Sequence, residues 1–115
     1  MPPREWRLRV EDILDAIARI QQYVEGLTFE QFQADQKTVD AVVRNLEIIG
    51  EAVRHLSASQ EGLPGETPWT DIAGMRNVLI HEYFGVDLKI IWHTIEKDLS
   101  ALRVQVQKLT TLDES

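Results

Sequence analysis

The stretch Val39-Asp-Ala-Val-Val-Arg-Asn-Leu-Glu-Ile-Ile-Gly-Glu-Ala-Val-Arg-His-Leu56 decides the fold. Its apolar residues Val39, Val42, Leu46, Ile49, Val53 and Leu56 recur at alternating steps of three and four, the pattern that draws one apolar stripe down an α-helix. Two further segments keep close to the same rhythm: Val10, Ile13, Ile17, Ile20, Val24 and Leu27 before it, and Leu88, Ile91, Ile95, Leu99, Leu102, Val106 and Leu109 after it. Three amphipathic helices that each bury one stripe predict an all-α, antiparallel up-down helical bundle.

The joints agree with that plan. Thr28-Phe-Glu-Gln31 fits a capping box and predicts a short extra helix around residues 29 to 34, with Phe29 and Phe32 turned inward. Gly26 suits the end of the helix before it. Residues 61 to 68, Glu-Gly-Leu-Pro-Gly-Glu-Thr-Pro, are the one clear loop, and Thr67 followed by Pro68 predicts a new helix bearing Trp69, Ile72, Met75 and Leu79 on one side. Gly85 suits its termination and Asp87 the cap of the last helix. Beyond about Thr110 apolar periodicity stops, so residues 111–115 are expected to fray.

At 115 residues, 43% of them hydrophobic and 27% charged, the chain is expected to form a single domain, 1–115, with a continuous core. Cys is absent, which excludes disulfides and thiolate zinc sites. The N-terminus lacks the apolar run of a secretory signal and every later apolar run is broken by charge short of a membrane span, so no membrane association and a cytoplasmic location are expected. A net charge of −7 works against non-specific attraction to a polyanion; any nucleic acid has to be met at a local basic site or at one duplicated in an oligomer.

Such a site is visible in Met75-Arg-Asn-Val-Leu-Ile-His-Glu-Tyr-Phe84. Asn77 and His81 are one helical turn apart on one face, Arg76 and Tyr83 share a neighbouring face, and the long stem of Arg76 can lean toward His81. Ala73 and Gly74 one turn earlier are small, which favours close approach of another backbone. Cleaving RNA through the 2'-hydroxyl requires a base, a cation for the charge building on the phosphorane oxygens, and a proton donor for the leaving oxygen. His81 can move the proton, Arg76 can clamp phosphate in a fork, and Asn77 can orient either of them. No metal or other cofactor is called for.

The order Arg76, four residues, His81, one residue, Tyr83 resembles the signature of HepT-like toxins, a branch of the HEPN superfamily of small helical ribonucleases. Arg44-Asn-Leu-Glu-Ile-Ile-Gly-Glu-Ala52 and Trp69-Thr-Asp-Ile-Ala-Gly74 also resemble segments of that family, and the likeness runs along the whole chain. The resemblance implies a metal-independent endoribonuclease toxin of a type VII-like pair, with Arg76, His81 and Asn77 catalytic, acting as a homodimer whose two motifs meet at a shared cleft. It further implies an MNT-type nucleotidyltransferase antitoxin that transfers AMP onto the motif tyrosine, here Tyr83. Arg44 and Glu51 are expected as cleft support, Glu51 pairing with an arginine and Arg44 helping to hold RNA.

Taken singly, these residues have plainer readings. His81 suits a helix C-terminus, Arg76 a surface ion pair with Glu82 or Asp71, and Tyr83 a half-buried packing position. Glu51 with His55, and His93 with Glu96, have spacings compatible with metal ligation, but a di-metal bundle needs two Glu-x-x-His units and the chain has none. Trp6, Trp69 and Trp92 read as core or interface anchors. The competing function is a non-catalytic helical dimer that docks a nucleotidyltransferase or binds a nucleotide.

Overall fold

A computed structural model describes residues 4–59 and 88–114, with side-chain surroundings for 7–55 and 88–108. The loop expected over 61–68, the helix expected from Pro68, its end at Gly85 and the Asp87 cap lie outside the described residues. Those described form an all-α bundle, with no strand among them.

Helix α1 (Arg4–Val24) turns Val10, Ile13, Ile17 and Ile20 into the core, each at most 1% exposed. It stops one turn short of the end of its apolar stripe. Gly26 takes φ +77°, a left-handed conformation that costs glycine little, and Leu27 N–H closes on the Val24 carbonyl at 3.0 Å. The capping box then forms as the sequence predicts. Gln31 N–H donates to Thr28 Oγ1 at 3.2 Å and Thr28 N–H donates back to Gln31 Oε1 at 2.9 Å, starting α2 (Phe29–Ala34).

Asp35 serves two helices at once. Its N–H donates to the Phe32 carbonyl and so closes α2, while its carboxylate accepts from Thr38 N–H at 3.3 Å and from the Thr38 hydroxyl at 2.7 Å. That makes it the N-cap of α3 (Gln36–Ser59). The Thr38 hydroxyl first, then the Thr38 amide, hold its carboxyl below the ordinary aspartate value. The short connection through α2 returns α3 along α1, and among the described residues these two helices share the most extensive interface. Leu46, Ile49 and Val53 are wholly buried, and a leucine or isoleucine in such a place contributes on the order of 2 kcal/mol.

The last helix is continuous but not uniform: α4 (Leu88–His93) passes through a π turn (Thr94–Asp98) into α5 (Leu99–Glu114). Its stripe contains two successive steps of four, Ile91 to Ile95 to Leu99. In a regular α-helix those steps would rotate Leu99 about 80° away from Ile91. The π turn absorbs the extra residue: Leu99 N–H reaches five residues back to the Thr94 carbonyl. Ile91, Ile95 and Leu99 thereby all stay in the core, at 2%, 6% and 2% exposure. The helix continues to Glu114, beyond the last apolar position of the stripe, since extending a formed helix needs only one further backbone bond per residue.

Trp92 fastens α4 to α2. Its ring lies 5.1 Å from that of Phe32 and 6.1 Å from that of Phe29, both tilted, within the range of favourable aromatic contact. The anchoring role expected of Trp92 and the inward packing of both phenylalanines are met. No helix among the described residues is long and apolar enough to cross a membrane.

Candidate functional site

At about 100° per residue, the side of α3 opposite Leu46, Ile49 and Val53 carries Arg44, Glu51 and His55, with Arg54 at its margin. The regular three-four stripe on one face is what leaves a coherent polar row on the other. Arg44 is exposed, about 10 Å along the axis from Glu51, and makes no hydrogen bond or ion pair with another described residue.

Glu51 forms an ion pair with Arg54, one turn further along the same helix. Arg54 donates to Glu51 Oε1 at 2.8 Å, and the same oxygen meets His55 Nε2 at 3.0 Å. Glu51 is the least exposed of the three, at 29% against 57% for Arg54 and 42% for His55. The carboxylate is thus the seat of the cluster and the two nitrogen bases lean on it from the solvent side. The hydrogen bond it donates to Glu51, followed by the carboxylate's negative charge, raises the Arg54 pKa above the ordinary value, so the guanidinium remains charged throughout any working pH. Exposed pairs of this kind add little to stability; what they supply is a fixed direction for the side chains.

Arg54 is the member that sequence reasoning overlooked. Its signal was present as the one-turn spacing from Glu51, since residues three and four apart on a helix are neighbours. His55 was noticed only for its possible metal spacing with Glu51. Among the described residues no group of three or more histidines and carboxylates is arranged as metal ligands. His93, just before the π turn, and Glu96, in its middle, are both exposed. Asn45, beside Arg44, faces inward instead: it is 5% exposed and its Nδ2 donates to the Ala41 carbonyl at 2.9 Å.

Arg76, Asn77, His81 and Tyr83 lie outside the described residues, as does the small-residue pair Ala73 and Gly74. Arg44 and Glu51 share one face of α3.

The model of the Ribonuclease HepT-like family matches residues 13–109, a span that includes α1 from its third turn, all of α2, α3 and α4, and most of α5. A protein of Thermococcus cleftensis named as a probable ribonuclease HepT is 43% identical over 100 residues, covering 87% of this chain and 91% of the relative. A protein of Caldanaerobacter subterraneus subsp. tengcongensis, named as a putative RNase, is 45% identical over 100 residues, covering 87% and 89%. One from Methanocaldococcus jannaschii with the same kind of name is 34% identical over 119 residues, spanning all of this chain and 98% of its own length. No solved structure matches. With a family model across most of its length, and relatives above 40% identity along nine-tenths of theirs, this chain belongs to the HepT-like family of RNA-cleaving enzymes.

Proposed function

We propose that this protein is a metal-independent endoribonuclease that cuts RNA by attack of the 2'-hydroxyl on the adjoining phosphate. In this reading His81 transfers the proton, Arg76 grips the phosphate and offsets the charge developing on it, and Asn77 orients one or the other. Arg44 and Glu51 support the cleft from α3. The reading rests on one observation: the family match runs through the segment holding Arg76, four residues, His81, one residue and Tyr83. A homodimer that brings two such segments together doubles the local positive charge, which answers the difficulty a chain of net charge −7 has with RNA.

The biological role follows the same line. The protein acts as the toxin of a toxin–antitoxin pair, and an MNT-type nucleotidyltransferase silences it by transferring AMP onto Tyr83. Anionic nucleotide two residues from His81 would fill and neutralise a phosphate site, so the modification inhibits by occupancy and by charge.

Purified protein incubated with RNA tests the mechanism. Cleavage is expected to persist with chelator and to fall by at least two orders of magnitude in His81→Ala, the range typical for loss of a proton-transfer group. Activity retained by that variant, or abolished by chelator, refutes it. Intact mass after incubation with nucleotidyltransferase and ATP should rise by adenylate units in the wild type and stay unchanged in Tyr83→Phe.

A further inference from the structure

The outer line of the last helix carries cations that no carboxylate cancels. From the π turn onward Lys97, Ala101, Val104 and Lys108 follow at steps of four, three and four, on the side opposite Leu99, Leu102 and Val106. Lys97 and Lys108 are exposed, and neither makes a hydrogen bond or ion pair with another described residue. Arg103, on the flank toward α1, donates from Nη1 to Gln21 Oε1 at 3.2 Å. That acceptor is a neutral amide, so the bond anchors the guanidinium across two helices and leaves its charge in place. From Lys97 to Lys108 the chain holds these three cations and a single carboxylate, Asp98. On α3, by contrast, Arg54 is already paired with Glu51.

We infer that Lys97, Arg103 and Lys108 form an auxiliary RNA-binding surface that takes backbone phosphates of the substrate. The surface rests on the RNA-cleaving reading but uses none of the residues assigned to the chemistry. In a chain of net charge −7, cations left uncancelled along one helix are where a polyanion is attracted and not repelled. Lys97 and Lys108 stand about 16 Å apart along the axis with Arg103 between them, a span that reaches different phosphates of one strand. An acidic protein would meet the same charge. A stable protein contact, however, needs a desolvated apolar centre inside its polar rim, and this line offers only Ala101 and Val104, the latter 50% exposed. Lysine acts on phosphate as a point charge, so the surface holds RNA without reading its bases.

The test uses the full chain and a fully 2'-O-methylated RNA oligonucleotide, which the proposed reaction cannot cleave, with affinity measured across a series of salt concentrations. Lys97→Gln and Lys108→Gln should each weaken binding and lower the log–log salt slope by about 0.7, the value for one phosphate contact on a single strand. The double variant should lose about twice that, and Arg103→Gln should act in the same direction. Lys37→Gln is the control for bulk charge. Lys37 is exposed in the first turn of α3, beside Asp35, and its loss takes the net charge from −7 to −8 just as each single variant on the last helix does. It should leave the salt slope at the wild-type value.

A wild-type slope in the Lys97→Gln, Lys108→Gln double variant, or an equal fall in Lys37→Gln, overturns the inference. So does a double variant that keeps its RNA affinity and instead loses a complex with the nucleotidyltransferase, which would give this face to a protein. Both lysines point into solvent, so the variants keep the fold, and an unchanged melting midpoint verifies it. Wild-type protein that cleaves unmodified RNA while the double variant keeps the wild-type slope refutes this surface alone. Wild-type protein that neither binds nor cleaves RNA refutes the ribonuclease reading with it.

Discussion

Helix α3 and the last helix bury comparable apolar stripes and reach the core by different means. In α3 the steps between Val39, Val42, Leu46, Ile49 and Val53 alternate three and four, and the backbone is α-helical from Gln36 to Ser59. In the last helix the run Ile91, Ile95, Leu99 contains two steps of four, and the backbone opens into a π turn over Thr94–Asp98. Side-chain burial therefore governs backbone hydrogen bonding here, not the reverse: the helix gives up one regular turn to keep three large residues inside. The contrast also bears on function. Because α3 never shifts register, its outer face runs unbroken from Arg44 through Glu51 to His55.

Single-residue deletions should separate the two helices most sharply. Removing Glu47 from α3 rotates Ile49, Ala52 and Val53 by about 100° away from the core and should abolish cooperative folding, read as loss of the thermal transition. Removing Lys97, exposed in the π turn, should instead convert the last helix to regular α-helix with every buried residue still facing inward. The expected change is about 1 kcal/mol or less. Equal damage from both deletions would mean that the π turn is required in its own right.

A smaller effect is expected at the entrance to α3. Asp35→Ala removes the acceptor for the Thr38 amide and hydroxyl and should lower the melting midpoint by a few degrees. The pH dependence has a definite sign. Thr38 depresses the Asp35 pKa in the folded protein, so its contribution is present above the ordinary aspartate value and is lost as pH falls through the depressed one. The gap between wild type and Asp35→Ala should therefore close in acid and stay constant from neutral pH upward. No cap of this kind enters the π turn, where His93 offers no side-chain hydrogen bond, so His93→Ala should leave the melting midpoint nearly unchanged.

Much of the architecture was legible residue by residue. Thr28 and Gln31 announce a reciprocal cap that depends on neighbours three apart, and Gly26 announces a left-handed turn; both are local requirements, met locally. The early end of α1, with Leu27 left outside the helix, shows the limit of stripe counting: periodicity tells which residues face inward and not where the backbone stops. On the functional side, the pairing of Glu51 with an arginine was readable as a type of contact. Arg54 was within reach of the same argument, since it lies one turn from Glu51 on the same helix.

The order of residues by itself determined the all-α class, the short helix between the first two long ones, and the family of the chain, since each depends on spacing and on side-chain chemistry over one or two turns. The π turn and the convergence of Arg54 and His55 on one oxygen of Glu51 were decided only in the folded bundle. The π turn reflects competition between neighbours, since which backbone bond yields depends on how much side-chain surface each choice buries against the other helices.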